Sequence, residues 1–102
     1  MNPLVQSRLP ALVELCRRFG VRRLELFGSA ATEHFDLRNS DLDFLVEFDP
    51  QHPLGPFRQF IDFLLALEQL FDRPVDLVET QTLRNPYLIQ SIQTQRQLLY
   101  AA

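Results

Sequence analysis

Residues 40–48 read Ser-Asp-Leu-Asp-Phe-Leu-Val-Glu-Phe, a run in which polar and apolar side chains nearly alternate. Alternation with a period of two is typical of a β-strand, because successive side chains of a strand point to opposite faces of the sheet. A strand over this run would carry four apolar side chains on one face: Leu42, Phe44, Val46 and Phe48. Its other face would carry Asp41, Asp43, Leu45 and Glu47. The run therefore predicts a strand with one apolar face and one face rich in carboxylates.

Two more strands are predicted on either side of this run. Val21–Phe27 favours a strand with Leu24 and Leu26 on one face, and Gly28-Ser29 ends it. The segment Pro74–Glu79 predicts a short third strand. A polar loop over residues 30–40 separates the first two strands.

Helical patterns occupy most of the remaining chain. Asn2-Pro3 or Ser7 can cap a first helix, and Pro10 fits best if this helix starts near Ser7, because proline is tolerated in a first turn. Phe57–Phe71 predicts a strongly apolar helix. Its predicted core stripe consists of residues 57, 60, 61, 64, 67 and 71, while Phe63, Leu65 and Leu70 lie outside it and suggest a second buried surface.

The C-terminal part of the sequence predicts one more helix. Asn85-Pro86 provides an N-cap and a first-turn proline for a helix that ends near Gln95. The tail Leu98-Leu99-Tyr100 is predicted to be pinned to the rest of the fold. With three strands between helices, the order of elements predicts an α/β (α+β) fold, a small mixed sheet with helices packed over it.

Length and composition restrict the possible functions. A chain of 102 residues with 46% apolar composition is long enough for a single core, so we expect one domain over residues 1–102. No apolar run approaches a membrane span, and the N-terminus lacks the features of a signal peptide, so we expect a cytoplasmic protein. The single cysteine, Cys16, lies in a helical apolar pattern and is interpreted as a buried hydrophobe.

The charge pattern excludes several classes of site. The net charge is −3, and all ten basic residues are arginines spread along the chain, which argues against stand-alone nucleic-acid binding. The absence of lysine excludes a Walker phosphate-binding loop and Schiff-base chemistry. Bound phosphates would have to be held by metal ions, backbone amides, hydroxyls or arginines.

Three aspartates are the candidate catalytic and metal-ligating residues. Asp41 and Asp43 are two residues apart at the start of a strand, so their carboxylates point the same way and repel unless a cation lies between them. Asp76 is flanked by apolar residues in the third strand. Three carboxylates on neighbouring strands suit two magnesium ions, of which one would activate an attacking hydroxyl and the other would hold a triphosphate.

Gly28 and Ser29 are the candidate phosphate-binding residues. Glycine lets the backbone approach a phosphate closely, and the serine hydroxyl can donate a hydrogen bond to it. Each feature also has a simpler interpretation: a solvated Asp-x-Asp pair, an ordinary Gly-Ser turn and a surface aspartate. Their combination in this order is much more specific than any one of them.

The combined motif resembles the bacterial minimal nucleotidyltransferases of the DNA polymerase beta superfamily. The resemblance is carried by residues 26–29 (LFGS), 40–47 (SDLDFLVE) and 73–78 (RPVDLV), and it extends over nearly the whole chain. It implies a palm-like fold in which Gly28 and Ser29 bind the triphosphate of ATP. It also implies that Asp41 and Asp43 are the metal-binding pair, with Asp76 the third carboxylate.

The resemblance also implies a biological role. Members of this family are commonly encoded beside an all-helical HEPN protein, and some act as antitoxins by transferring AMP to a tyrosine of that toxin. The expected partners are therefore a nucleoside triphosphate and a HEPN-type protein, and a homodimer is possible. The alternative is a catalytically idle module that neutralises its partner by covering it. Nucleotide transfer to tRNA or an antibiotic is disfavoured, because no additional domain is available to hold such an acceptor.

The sequence departs from the family pattern in the loop after Ser29. Eleven residues separate Ser29 from Asp41 where ten are common, and the arginine that often follows Gly-Ser is missing. Arg38, in the same loop, is a possible substitute, although a solvated charge is the simpler interpretation. His34 and His52 are assigned to loops without a metal role.

Overall fold

The computed structural model describes residues 2–28, 41–80 and 96–102. The predicted polar loop over residues 30–40 and the predicted helix from Asn85 to Gln95 lie outside these ranges. The described ranges contain three helices and four strands, which in chain order are α1 (Pro3–Ser7), α2 (Leu9–Arg18), β1 (Val21–Phe27), β2 (Leu42–Phe48), α3 (Pro56–Phe71), β3 (Val75–Glu79) and β4 (Gln97–Ala101).

The four strands form one mixed sheet in the order β3-β2-β1-β4. β1 is antiparallel to β2 and to β4, whereas β2 and β3 are parallel. The parallel pair requires a crossover, and α3 provides it. This arrangement confirms the predicted α+β architecture, a small mixed sheet with helices packed over it.

The pinned tail is a fourth strand, so the prediction of three strands is wrong. β4 pairs with β1, and the N–H of Ala102 continues the contact by donating to the carbonyl of Arg22 at 2.9 Å. Strict alternation is missing from the tail, and its partner strand is distant in sequence. The local pattern therefore indicated attachment but not strand pairing.

The N-terminal segment forms two helices where one was predicted, and Asn2 is the one predicted cap that is used. The side-chain oxygen of Asn2 accepts hydrogen bonds from the N–H groups of Leu4 (2.9 Å) and Val5 (3.3 Å), and so caps α1. α2 begins at Leu9 with Pro10 in its first turn, where proline removes no helical hydrogen bond. Ser7 caps neither helix, because its hydroxyl donates to the carbonyl of Leu4 at 2.8 Å.

The main core lies between the three helices and one face of the sheet. Its fully buried residues include Val5, Leu12 and Cys16 from the first two helices and Leu24, Leu26, Phe44 and Val46 from the strands. Rings from α3 pack onto β2, with centroid separations of 5.8 Å for Phe44–Phe71 and 5.7 Å for the edge-to-face pair Phe48–Phe63. No helix in the described ranges combines the length and apolar character needed to span a bilayer.

The predicted core stripe of α3 is confirmed in part, because Leu67 and Phe71 are buried and Phe60 and Leu64 pack against the core, but the helix is rotated relative to the prediction. Phe63, which was placed outside the stripe, is fully buried, whereas Phe57, which was placed inside it, is 76% exposed. The face toward the core follows an i, i+4 row from Gln59 through Phe63 and Leu67 to Phe71. Of the other proposed outlying residues, Leu70 packs partly against the core and Leu65 is 58% exposed.

The hydrogen bonds of Gln59 favour this rotation. Its side-chain amide nitrogen, Nε2, donates to the carbonyls of Phe19 (2.8 Å), Asp49 (3.2 Å) and Gly20 (3.4 Å). Phe19 and Gly20 lie in the turn before β1, and Asp49 directly follows β2. A buried amide that satisfies backbone acceptors is stable inside a protein. Gln59 therefore faces inward, and Phe63, about one helical turn further along α3, faces inward as well.

Candidate active site

The parallel pairing of β2 and β3 brings the candidate carboxylates together. Asp43 and Asp76 are register partners, so their side chains leave the same face of the sheet from adjacent strands. Asp41 immediately precedes β2 and is exposed, as is Asp76, while Asp43 is half-buried. This is the face opposite the main core, as the alternation of residues 41–48 predicted. Their catalytic and metal-binding roles stay predictions.

The electrostatics of Asp43 reflect this crowding. Burial, with the negative charges of Asp76 and then Asp41, raises the pKa of Asp43 from 3.8 to about 6. Desolvation and like charges both disfavour the ionised carboxyl, and a cation bound nearby would favour it. The arrangement is thus chemically suited to bind a positive ion.

Gly28 lies directly against Asp43. Its φ is +68°, and a Cβ at this position would overlap the carboxylate oxygen Oδ2 of Asp43. Glycine is therefore required here twice: for the left-handed backbone and for the space that the carboxylate occupies. The predicted glycine contributes to the site by making room for a candidate ligand as well as by ending β1.

A small apolar cluster lies beside the carboxylates on the same face. It consists of Phe27 and Leu45, which are 5% and 3% exposed, with Val78 packed against them. Phe27 is the register partner of Asp43 on β1, and Val78 lies two residues beyond Asp76 on β3. These side chains remove water from one side of Asp43, which accounts for the leading contribution of burial to its pKa.

A buried acidic residue that the sequence pattern did not indicate also lies on this face. Glu25 lies between the core residues Leu24 and Leu26 and is 4% exposed. Its carboxylate oxygens accept from Arg23 Nε at 2.8 Å and pair with Arg96 Nε at 3.2 Å. The available signal was a glutamate inside an otherwise apolar strand segment, since such a charge needs a partner when it is buried.

Other candidate residues lie elsewhere. Ser29, His34 and Arg38 are outside the described residues. His52 has a structural role: one ring nitrogen contacts the carbonyl of Arg18 at 3.2 Å, and the other accepts from the N–H of Leu54 at 3.3 Å. Burial raises the pKa of Cys16 to about 12, which leaves an unreactive thiol, as predicted.

The carboxylates do not by themselves form a closed metal cage. Within residues 2–28, 41–80 and 96–102, no group of three histidine, cysteine, aspartate or glutamate side chains converges closely enough to hold a metal ion unaided. Magnesium does not require such a cage, because it is commonly bound by one or two carboxylates together with water and substrate phosphates.

Comparison with known proteins identifies relatives for nearly the whole chain. The sequence profile of the nucleotidyltransferase domain family matches residues 11–99. A protein of Methanocaldococcus jannaschii that is provisionally named as a protein adenylyltransferase is 32% identical over 76 residues, which are 74% of either chain.

The solved structures that share the fold include two that are at least 25% identical to this chain. One is provisionally described as a minimal nucleotidyltransferase, is 31% identical and has a TM-score of 0.73, with 91% of this chain and 90% of that chain covered. The other is a toxin–antitoxin complex with AMP-PNP, which is 25% identical and has a TM-score of 0.68, with 92% of this chain and 73% of that chain covered.

Proposed function

This chain belongs to the nucleotidyltransferase domain family, and we propose from that premise that it transfers AMP from ATP to a tyrosine of a HEPN-type partner protein. In this role it acts as a cytoplasmic antitoxin. The observation that carries the proposal is the register pairing of Asp43 with Asp76 beside Gly28, whose missing side chain leaves space for a carboxylate.

We propose magnesium as the cofactor of this site. Asp41, Asp43 and Asp76 would hold it, and the raised pKa of Asp43 supports this assignment because a divalent cation offsets the repulsion among the three carboxylates. When bound, a pair of such ions lowers the pKa of an attacking hydroxyl and neutralises the charge of the triphosphate. The contribution of the chain itself is to hold the reacting groups in place.

Gly28 and Ser29 are proposed to bind the triphosphate. Gly28, at the end of β1, lies against Asp43 and so borders the candidate metal site, and the sequence predicts a Gly-Ser turn from this point. Backbone N–H groups in such a turn, and the serine hydroxyl, are suitable donors to phosphate oxygens.

The proposed acceptor and partner are inferred from the relatives. The Methanocaldococcus jannaschii protein carries the name of an enzyme that modifies proteins, and one related structure is a toxin–antitoxin complex holding an ATP analogue. Both support a protein acceptor over a small molecule. A tyrosine hydroxyl is a suitable nucleophile, because a nearby metal ion would lower its pKa. The resulting phenolate would attack the α-phosphate of ATP, and the bond between the α- and β-phosphates would break to release pyrophosphate.

The test is transfer of label in the purified complex. The chain and its genomic neighbour are incubated with magnesium and ATP labelled at the α-phosphate, and we expect label on a tyrosine of the partner. The variant Asp41→Asn/Asp43→Asn should transfer none while remaining folded, because it preserves shape and removes repulsion.

The alternative is the idle binding module, which the missing arginine after Ser29 favours. It predicts a stable complex and unlabelled partner at saturating nucleotide. Complex formation alone does not separate the two functions, so the labelling result decides between them.

A further inference from the structure

Glu25 and two arginines form a charged cluster on the same face of the sheet as the three aspartates. Glu25 pairs directly with Leu45 of β2, which is two residues from Asp43 and on the same face. The carboxylate of Glu25 is nearly inaccessible, with 6% of its side chain exposed, whereas the side chains of Arg23 and Arg96 are 47% and 44% exposed. The cluster therefore presents two partly solvated guanidinium groups around one buried acid, with a net positive charge.

Arg96 is the member of this cluster that lies toward the aspartates. Gln97 is the register partner of Leu26. Because β1 and β4 are antiparallel, Arg96, one residue before Gln97, lies beside Phe27, one residue after Leu26. Phe27 is the register partner of Asp43, and Asp43 is that of Asp76. Arg96, Phe27, Asp43 and Asp76 thus form one row across the four strands.

The spacing of this row suits a shared ligand. Neighbouring strands lie about 4.8 Å apart, so Arg96 and Asp43 originate roughly 10 Å from one another. The ion pair with Glu25 shows that the Arg96 side chain lies on the aspartate face. A triphosphate held over Asp43 comes within reach of the Arg96 guanidinium across Phe27.

Arg23 occupies the opposite end of the cluster. It is paired with Glu47 and bonds to the same buried glutamate, but it lies four residues before Phe27 along β1. The two arginines therefore share a partner and have similar exposure, and they differ in their distance from the aspartates.

We propose that Arg96 binds the phosphate groups of the nucleoside triphosphate, with Glu25 as the positioning residue that holds its guanidinium on this face. The inference rests on the proposed function and adds a phosphate ligand to it. Arginine is suited to this task because its fork of N–H donors matches phosphate oxygens and it cannot lose its charge. Arg96 supplies the cation that the sequence lacks after Ser29, in a chain without lysine.

The test compares equilibrium binding of ATP in the presence of magnesium to the wild-type chain, Arg96→Ala, Arg96→Lys and Arg23→Ala. Adenosine, which has no phosphates, is titrated in parallel. We expect Arg96→Ala to weaken ATP binding roughly tenfold or more, the range for a hydrogen bond between charged groups. Arg96→Lys should recover part of the affinity because it keeps the charge. Arg23→Ala should bind within about twofold of wild type, and adenosine binding should not change.

The outcomes separate this inference from the function on which it rests. If wild type binds no ATP, the proposed function fails. If wild type binds ATP and Arg96→Ala binds it equally well, Arg96 has a purely structural role and the inference is overturned. Equal weakening by Arg23→Ala and Arg96→Ala would also overturn it, since general loss of the cluster would then explain both. Urea unfolding of each variant measures separately how much the substitution changes the free energy of unfolding.

Discussion

At the scale of single residues, the contact between Gly28 and Asp43 makes a specific prediction. Gly28→Ala places a methyl group where Oδ2 of Asp43 lies, so the carboxylate must leave its present position. Gly55 is the matched control, because its φ is also positive at +81° and nothing lies within 4 Å of the added methyl. Each substitution should cost about 1–2 kcal/mol of stability for the left-handed backbone.

The two glycine variants should differ in function. We expect only Gly28→Ala to lose magnesium-dependent ATP binding, measured by calorimetry, because only this change displaces a candidate ligand. Normal ATP affinity in Gly28→Ala would show that the orientation of Asp43 does not matter for binding.

The titration of Asp43 predicts how stability depends on pH without metal or nucleotide. Its folded pKa of about 6 exceeds the value of 3.8 in an unfolded chain, so between these values the folded state binds more protons. Stability should therefore fall as pH rises from 4 to 6 and then level off. The loss should be roughly 1–2 kcal/mol after allowance for the solvent around a half-buried group.

Urea unfolding at pH 4.5 and pH 7.5 measures this loss, and Asp43→Asn should show less of it. The pKa itself can be followed by NMR titration of the Asp43 carboxyl. In Asp76→Asn it should drop yet remain above its ordinary value, since burial is the larger cause. A return to the ordinary value would assign the shift to charge alone.

At the scale of elements, α3 shows where sequence reasoning succeeds and where it stops. The ends of the helix were predicted to within one residue, because Pro56 and the turn after Phe71 are local signals. Its rotation was not, because the hydrogen bonds of Gln59 to distant carbonyls have no local sequence signal. β4 was missed because its partner strand, β1, is distant in sequence. β1 and β2 were predicted because their apolar residues show which face each strand buries.

The candidate site was predictable to a similar extent. The chemistry of Asp41, Asp43 and Asp76 follows from residue type and spacing, and the parallel register of β2 and β3 then brings two of them side by side. Glu25 was not found, since its buried environment depends on β4 and on Arg96. Local patterns identify side chains with a strong chemical character, but they do not identify partners that only the assembled sheet provides.

The orientation of α3 can be tested by two phenylalanine substitutions on one helix. Phe63→Ala removes a fully buried ring in contact with Phe19 and Phe48, and should cost about 3–5 kcal/mol. Phe57→Ala changes a ring that is 76% exposed and should cost less than about 0.5 kcal/mol. Chemical denaturation of both variants provides the measurement. A larger loss of stability in Phe57→Ala than in Phe63→Ala would instead support the core stripe predicted from the sequence.

At the scale of the whole molecule, the prediction concerns assembly. α1, α2 and α3 bury their apolar faces in the core, while Phe57 and Leu65 remain exposed on α3. An acceptor misplaced by about 1 Å can lose a hundredfold in rate, so efficient transfer needs a surface that positions the acceptor. We expect the HEPN-type partner to provide it. The chain alone should bind ATP but transfer AMP poorly, and sedimentation with the partner should show a heteromeric complex. Efficient transfer to a free small molecule by the isolated chain would contradict this expectation.

The pairing of β4 with β1 also has a consequence for the time at which the protein becomes functional. Leu26 and Gln97 are register partners although they are 71 positions apart in the chain. Contacts so distant in sequence form late, because the ends of a long loop must first meet. During synthesis, the aspartates of β2 and β3 leave the ribosome before β4 and Arg96 do, and at roughly 5–20 residues per second the interval lasts about a second or more. A nascent chain would therefore carry its candidate metal-binding carboxylates before Arg96, and on the proposed role of Arg96 it would acquire full affinity for nucleotide only after β4 pairs with β1.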